Sequence, residues 1–517
     1  MRKTAIALSC SAVLMGATGA AQAQSNQELK SQIELLQRQI EALKARVDGM
    51  PATAPAATAP AAVAPVATSS GGSFVERKGG GGMTFFTRGG EVTAYGNLDL
   101  SLDSSSKGIS GFVADDGSRP AGRGGWMADV SSNLSYVGLR GFQSIGNYES
   151  KFVWQLETQI DVSANAGTGA SNSNTSSAVK GALTSRNSFI GLASPAWGAV
   201  KIGKTDAPYK TSTAVMNPFS GMWGDYSVIM GNTGGDNRVE FGTRLTHAIW
   251  YESPSFGGFA VNALVSPGQN RAYDSSNLAA GESDCAGGNV PGSGGTPLAC
   301  NDGAYGTAYS LSGTYRVGPL YAVVAYERHD KVNRTSDLAT YDPTDVADES
   351  AAKVGLQYHL PTGTTVSAIY EHMRRDVPAA LEAQNERTRN GTWLAISQQL
   401  GAADSLHFGW AHAGRTPGDT GQHNTSGGAN ADNTANMYTV AWKHQVDKNF
   451  QYYVDYAVTA NHADAHYDLG AGGRGVTTDC HDASNPDATG FDPNGGAPRC
   501  WAGGRLQGAS VGMRYTF

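Results

Sequence analysis

Four cysteines, Cys285, Cys300, Cys480 and Cys500, are the residues whose type and spacing suggest chemistry most directly. They form two close pairs, 15 and 20 residues apart, each inside a stretch rich in Gly, Asn, Asp and Pro. A zinc site wants short Cys-x-x-Cys spacing, which neither pair has. In an oxidising compartment the pattern reads as two loop-closing disulfides. Cys285–Cys300 and Cys480–Cys500 is the preferred pairing among the three connectivities that four cysteines allow. His462 and His466 are four apart, but they stand beside a long polar stretch where no helix is expected, so a metal pair is the weaker reading. Asp482, Asp487, Asp492 and Asn494 match no EF-hand spacing and read as a solvated acidic loop. No nucleophile and base can be paired from spacing alone. Neither an enzyme nor a cofactor is implied.

Charged side chains are the remaining candidates, and their meaning depends on the elements that hold them. Glycine makes up 67 of 517 residues, about twice the usual ~7%, while charged residues at 16% fall short of the usual ~25%. With Tyr 21, Phe 15 and Trp 9 the chain is too aromatic to be disordered throughout. Beyond the first 23 residues no apolar run approaches the ~20 needed for a membrane helix. At the start, Arg2 and Lys3, the apolar stretch Ala5 to Ala17 and Ala21-Gln22-Ala23 read as a secretory signal peptide with Gln24 as the mature start. Losing Arg2 and Lys3 takes the 38 basic residues to 36 against 45 acidic ones, an exported chain of net charge −9. Such a chain is a poor nucleic-acid binder.

Residues 24–48 read as a short coiled coil. Leu29, Ile33, Leu36, Ile40, Leu43 and Val47 step by four and three, with Ile33, Ile40 and Val47 at a and Leu29, Leu36 and Leu43 at d. Three heptads are marginal alone, so the helix needs partner chains held close by something larger. Pro51, Pro55, Pro60 and Pro65 make the following stretch a semi-extended spacer. The tether reading extends to residue 90, with no assignment for Phe85 and Phe86.

From Glu91 to Phe517 the pattern is that of strands. In Ala308 to Gly318, Tyr309, Leu311, Tyr315 and Val317 share one face, and Ser310, Ser312, Thr314 and Arg316 the other. Phe450, Tyr452, Val454, Tyr456 and Val458 alternate with Gln451, Tyr453, Asp455, Ala457 and Thr459. One face of such a strand meets an apolar phase and the other meets water. Linkers alternate between tight turns and stretches of up to ~40 residues, as between the two rims of an outer-membrane barrel. Aromatic residues recur in the apolar series, as interfacial girdles require. The chain ends on a strand with Ala509, Val511, Met513, Tyr515 and Phe517 on one face, able to close against the first. About sixteen segments result, an all-β, 16-stranded antiparallel transmembrane β-barrel. The segment 131–143 is expected as one strand.

Tyr95-Gly96-Asn97-Leu98-Asp99, Ser135 to Gly141 (SYVGLRG), Arg186 to Leu192 (RNSFIGL), Gly198 to Lys210 (GAVKIGKTDAPYK), Tyr251 to Phe259 (YESPSFGGF) and Val511 to Phe517 (VGMRYTF) together resemble the trimeric general porins of Gram-negative bacteria, particularly the betaproteobacterial type. The resemblance covers residues 91–517. It implies a homotrimer in the outer membrane, in contact with its lipid and lipopolysaccharide. It also implies a long third external loop, about Thr205 to Thr243, folded into the pore. The coil and tether are similar to the periplasmic extension of some trimeric dicarboxylate porins.

By the family match, Arg140, Arg186 and Arg244 take basic-wall positions, with Lys201 and Lys204 on the strand entering the loop. Alternation supports three of them: Arg140 against Val137 and Leu139, Arg244 against Leu245 and Ile249, Lys201 against Val200 and Ile202. Across the pore the loop offers Asp206, Asp225, Asp236 and Glu240. Opposed charges make a transverse field; ordinary solvated lumen residues are the competing reading. The family often has a basic residue where this chain has Tyr136, which weakens the wall and leaves anion preference open. The expected function is passive diffusion of ions and small hydrophilic solutes. The alternatives are a selective channel for small carboxylates and an envelope tether whose coil reaches peptidoglycan.

Overall fold

The computed structural model describes residues 82–106, 126–146, 149–160, 162–163, 184–232, 241–267, 286–290, 302–333, 346–376, 388–416, 432–462, 465, 467–470 and 505–517. The signal segment, the heptad seam, Asp236, Glu240, His466, the acids at 482–492 and the four cysteines of the loop pairs lie outside them. His462 is described and meets Asp432 at 3.1 Å.

Twenty strands are described. They begin with β1 (Met83–Thr87), β2 (Gly90–Ser106), β3 (Met127–Ser132), β4 (Tyr136–Ser144), β5 (Lys151–Gln159), β6 (Ser188–Ser194) and β7 (Gly198–Asp206). After a short helix, α1 (Pro208–Thr213), come β8 (Arg244–Glu252), β9 (Phe259–Ser266), β10 (Ala286–Val290), β11 (Asp302–Tyr305), β12 (Thr307–Val317) and β13 (Leu320–Asn333). The series ends with β14 (Val346–His359), β15 (Thr364–Asp376), β16 (Arg389–Gln399), β17 (Asp404–Ala413), β18 (Ala435–Gln445), β19 (Phe450–Asn461) and β20 (Arg505–Thr516).

Sixteen of these form the wall: β2, β4 to β9 and β12 to β20, each antiparallel to the next. The small hairpin β10–β11 bridges β9 and β12, which pair directly from Phe259↔Tyr315 to Ser266↔Ala308. β20 closes on β2 from Asn97↔Thr516 to Ser106↔Gln507, so the ring has no open edge. Closure follows from the solvent, because an unpaired backbone group in hydrocarbon costs several kcal/mol.

Period-two alternation sets the two faces. Leu102, Ile190, Ile202, Val324, Val354, Ile396, Phe408, Val511 and Met513 are exposed on the outside. Aromatic side chains gather near the tight-turn rim: Trp442 meets Tyr452 at 5.6 Å and Phe259 meets Tyr315 at 4.2 Å. Inward positions are polar in part, as at Ser310, Glu327, Glu371 and Asp455, and apolar where Val323, Ile369, Trp393 and Met437 are covered from inside.

Two departures from the sequence reading have local causes. The single strand expected over 131–143 is two, because Leu134 takes φ +52° and breaks the run between β3 and β4. Both still pair with β2, β3 through Leu100–Ser105 and β4 through Gly90–Asn97. The stretch read as tether up to residue 90 already contains β1, which folds back on β2 from Met83↔Ala94 to Thr87↔Gly90. Phe85 and Phe86 lie on this hairpin, both exposed.

Candidate functional site

At the end of β7 the chain turns into the barrel. Ala207 is fully buried, and Pro208 opens α1, where a missing N–H costs nothing. The segment then crosses the inner faces of β12 to β20. Met216, Phe219, Met222, Tyr226, Ile229 and Met230 bury against Tyr321, Val323, Ile369, Trp393, Met437 and Tyr453. Phe219 stands edge-on to Trp393 at 5.9 Å.

Backbone groups inside a barrel must find partners, and wall side chains supply them. Tyr321 O–H donates to the Ser212 carbonyl at 2.6 Å, and Trp393 Nε1–H to that of Met216 at 3.0 Å. Arg389 donates to the Ile229 and Asn232 carbonyls, and Lys443 to that of Pro218. Asp455 accepts the Trp223 N–H at 2.8 Å. Gly224 has φ +68°, and a Cβ there would overlap Thr439 Oγ1.

Two buried carboxylates hold the ends of the loop. Glu371 accepts the Tyr209 O–H at 2.6 Å and the Gly231 N–H at 2.8 Å. Glu327 accepts the Gly242 N–H at 2.9 Å and the Ser310 O–H at 3.0 Å. Burial, reinforced by the Glu371 charge, pushes the Tyr209 phenol well above its ordinary range, so it stays a donor. Sequence reasoning missed Glu327, Glu371, Arg389 and Lys443. The signal available for them was a charged residue at inward parity on a strand.

The loop leaves its open side toward β2 and β4 to β7, where Arg140 and Arg186 stand. Arg186 Nε donates to Glu157 at 2.6 Å, and Tyr95 O–H donates to the same carboxylate at 3.0 Å. The Arg140 guanidinium lies over the Tyr95 ring at 4.5 Å, and that of Arg186 over Tyr136 at 4.8 Å. Arg244 pairs with Asp206 at 3.0 Å and donates from Nε to Asn187 at 2.6 Å; Lys210 reaches the same Asp206 at 3.1 Å. Lys204 is half-buried at a break in register between Gly203 and Thr205.

Three sequence expectations change here. Lys201 faces inward as its alternation implies, but it is buried, paired with Glu252 at 2.8 Å and covered by Phe189 at 4.6 Å. It is a wall contact close to the tight-turn rim. Leu245 and Ile249 do not share a face: Leu245 is buried and Ile249 exposed, because His247 takes φ +51° between them. Most consequentially, Asp225 does not face the pore. It is buried, accepting from Ser227 N–H at 3.0 Å, Asn217 Nδ2 at 2.9 Å and Gly221 N–H at 3.2 Å within the loop itself. It is the only carboxylate among residues 207–232. The exposed edge of the described loop is Lys210, Thr211, Ala214 and Ser220.

A closed sixteen-stranded barrel with a long loop folded into its lumen is a porin architecture. The sequence profile of the Gram-negative porin family matches residues 52–464, and the chain belongs to that family. The family's place is the outer membrane. Among curated relatives, the chain is 28% identical over 141 residues to the major outer membrane protein P.IA of Neisseria meningitidis serogroup C, covering 27% of this chain and 30% of that protein. It is 28% identical over 172 residues to an outer membrane porin protein of Bordetella pertussis, covering 32% of this chain and 40% of that protein. The chain thus matches well under half the length of either relative. Among solved structures, the anion-selective porin from Comamonas acidovorans aligns with 83% of this chain and 100% of its own, at TM-score 0.56 and 19% identity. OmpF of Salmonella typhi, in complex with daunomycin, aligns with 84% of this chain and 100% of its own at TM-score 0.50 and 14% identity.

Proposed function

We propose that this protein forms a water-filled channel across the outer membrane, passing ions and small hydrophilic solutes by passive diffusion, with anions favoured. The observation that carries the reading is the asymmetry of the narrowed lumen. Half-buried Arg140 and the largely buried Arg186 stand on one side, while the described loop opposite exposes Lys210, Thr211, Ala214 and Ser220 and turns Asp225 away. A cationic wall facing a neutral-to-cationic edge makes a positive field across the opening. Of the acidic residues expected opposite the wall, Asp225 is thereby removed, while Asp236 and Glu240 lie outside the described residues. The anion-selective structural relative is in keeping with it.

The working unit in this proposal is a homotrimer whose surface meets outer-membrane lipid and lipopolysaccharide. Residues 24–48 form a periplasmic coil that joins three barrels or reaches peptidoglycan. Cys285–Cys300 and Cys480–Cys500 staple two outer loops. The test is reconstitution of the mature protein in planar bilayers under a KCl gradient. Large ohmic steps closing in thirds, with a reversal potential of anion-selective sign, are expected. A cation-selective sign refutes the anion preference, and folded protein without conductance refutes the channel.

A further inference from the structure

Tyr136 stands where the tip of the infolded loop meets the wall. Its near neighbour in sequence, Leu134, lies 3.1 Å from where a Cβ on Gly221 would be, and Arg514 ties the same tip by donating from Nη2 to the Ser220 carbonyl at 3.0 Å. Arg514 is fixed from behind by Asp99, which accepts its Nε–H at 2.6 Å. Tyr136 is within electrostatic reach of both Arg186 and Arg514. Its ring carries the Arg186 guanidinium at 4.8 Å and stands edge-on to Tyr95 at 6.3 Å.

We infer that Tyr136, Arg186 and Arg514 form a shelf for planar carboxylates, aromatic acids of the benzoate type, inside the constriction. The inference rests on the channel reading above and names the solute class its narrowest part retains. Arg186 gives Nε to Glu157 and has Asp206 within electrostatic reach; its side chain keeps a tenth of its surface exposed, and the donors left over are its two Nη groups. They present a two-pronged donor to a passing carboxylate. Tyr136 is half-buried, so part of its ring borders the lumen beside those donors. A flat ring attached to the carboxylate can pack beside the part of Tyr136 that the Arg186 guanidinium leaves uncovered while its charge takes the guanidinium. A lysine at this position would add charge and remove the flat surface. The shelf therefore selects by shape among equally charged solutes, which a bare cationic wall cannot do.

The test compares sodium benzoate with sodium cyclohexanecarboxylate as blockers of single-channel current through the reconstituted mature protein at neutral pH. The two anions match in charge and nearly in size, and differ in planarity. Benzoate is expected to interrupt the current at a concentration about three- to tenfold lower. Tyr136→Phe keeps that ratio, and Tyr136→Leu brings it close to one. Equal block by the two anions in the unaltered protein overturns the shelf, and so does a ratio that survives Tyr136→Leu. The unaltered protein decides the matter even where a variant does not assemble. The reversal potential from the same recordings reads the anion preference separately, so an anion-selective channel without the benzoate bias removes the shelf alone.

Discussion

Glu157 is fully buried and serves two donors, Arg186 and Tyr95, so the charge that Arg186 shows the lumen is a balance. Replacing the carboxylate by an amide keeps the shape and removes the counter-charge. At roughly 8 Å in a wet lumen one unit charge is worth about 0.5 kcal/mol, or about a twofold change in ion preference. Glu157→Gln is therefore expected to raise the anion-to-cation permeability ratio about twofold, and Arg186→Gln to lower it by a similar factor, both read from zero-current potentials. If neither moves the potential, the Arg186–Glu157 pair is a buried wall contact that sets no ion preference. Arg186→Gln carries a further penalty, because removing one partner of a buried pair strands the other, typically at ~3–5 kcal/mol. Its yield of folded barrel should fall below that of Glu157→Gln, as measured by resistance to SDS without heating.

The infolded loop is held as an element by a few buried groups, and most of them are not its own. Glu371 takes donors from both arms, Tyr209 and Gly231, so one substitution loosens both. Each hydrogen bond to a buried carboxylate contributes ~1.5–3 kcal/mol. Glu371→Ala should release the loop from the wall: single-channel current becomes noisier, and the Gly231 amide exchanges its hydrogen faster. Tyr209→Phe, which loses one of the two bonds, should show a smaller effect, and equal effects would place the anchor elsewhere. Gly224→Ala should displace the loop tip, since φ +68° and the overlap with Thr439 leave a methyl group no room. Strands were readable because a period of two is visible in residues such as Tyr309 and Leu311, whose alternation depends only on phase. Bulges at Leu134 and His247 shift that phase without any marker in residue type. The strand at Phe85-Phe86 was hidden by its glycine-rich surroundings, since two adjacent aromatic residues do not alternate. Arg140 and Arg186 were assigned to the wall through resemblance, with alternation as a second support for Arg140 only. The inward turn of Asp225 was not legible, because it depends on loop backbone donors that no spacing rule reports.

For the whole molecule the decisive contact joins the two ends of the wall. β20 is bonded to β19 on one side, from Phe450↔Tyr515 to Ala460↔Arg505, and to β2 on the other, so it is the strand through which the ring closes. Phe517 completes this seam by exchanging backbone hydrogen bonds with Gly96 at 2.8 and 3.0 Å. Removing residues 505–517 would expose two full strand edges to hydrocarbon, at several kcal/mol for each unpaired group that no neighbour can rescue. Among the described residues the sixteen wall strands pair into a ring between Gly90 and Thr516. Two truncations should therefore behave oppositely. A chain lacking 24–81 should still insert, resist SDS before heating and conduct, while the proposed trimer, no longer clipped by the proposed coil, separates at a lower temperature. A chain lacking 505–517 should show none of these properties, and circular dichroism in detergent should find its sheet content collapsed rather than reduced by one strand in sixteen. Loss of conductance in the first truncation, with the barrel still folded, would make the N-terminal segment part of the pore and overturn this division of labour.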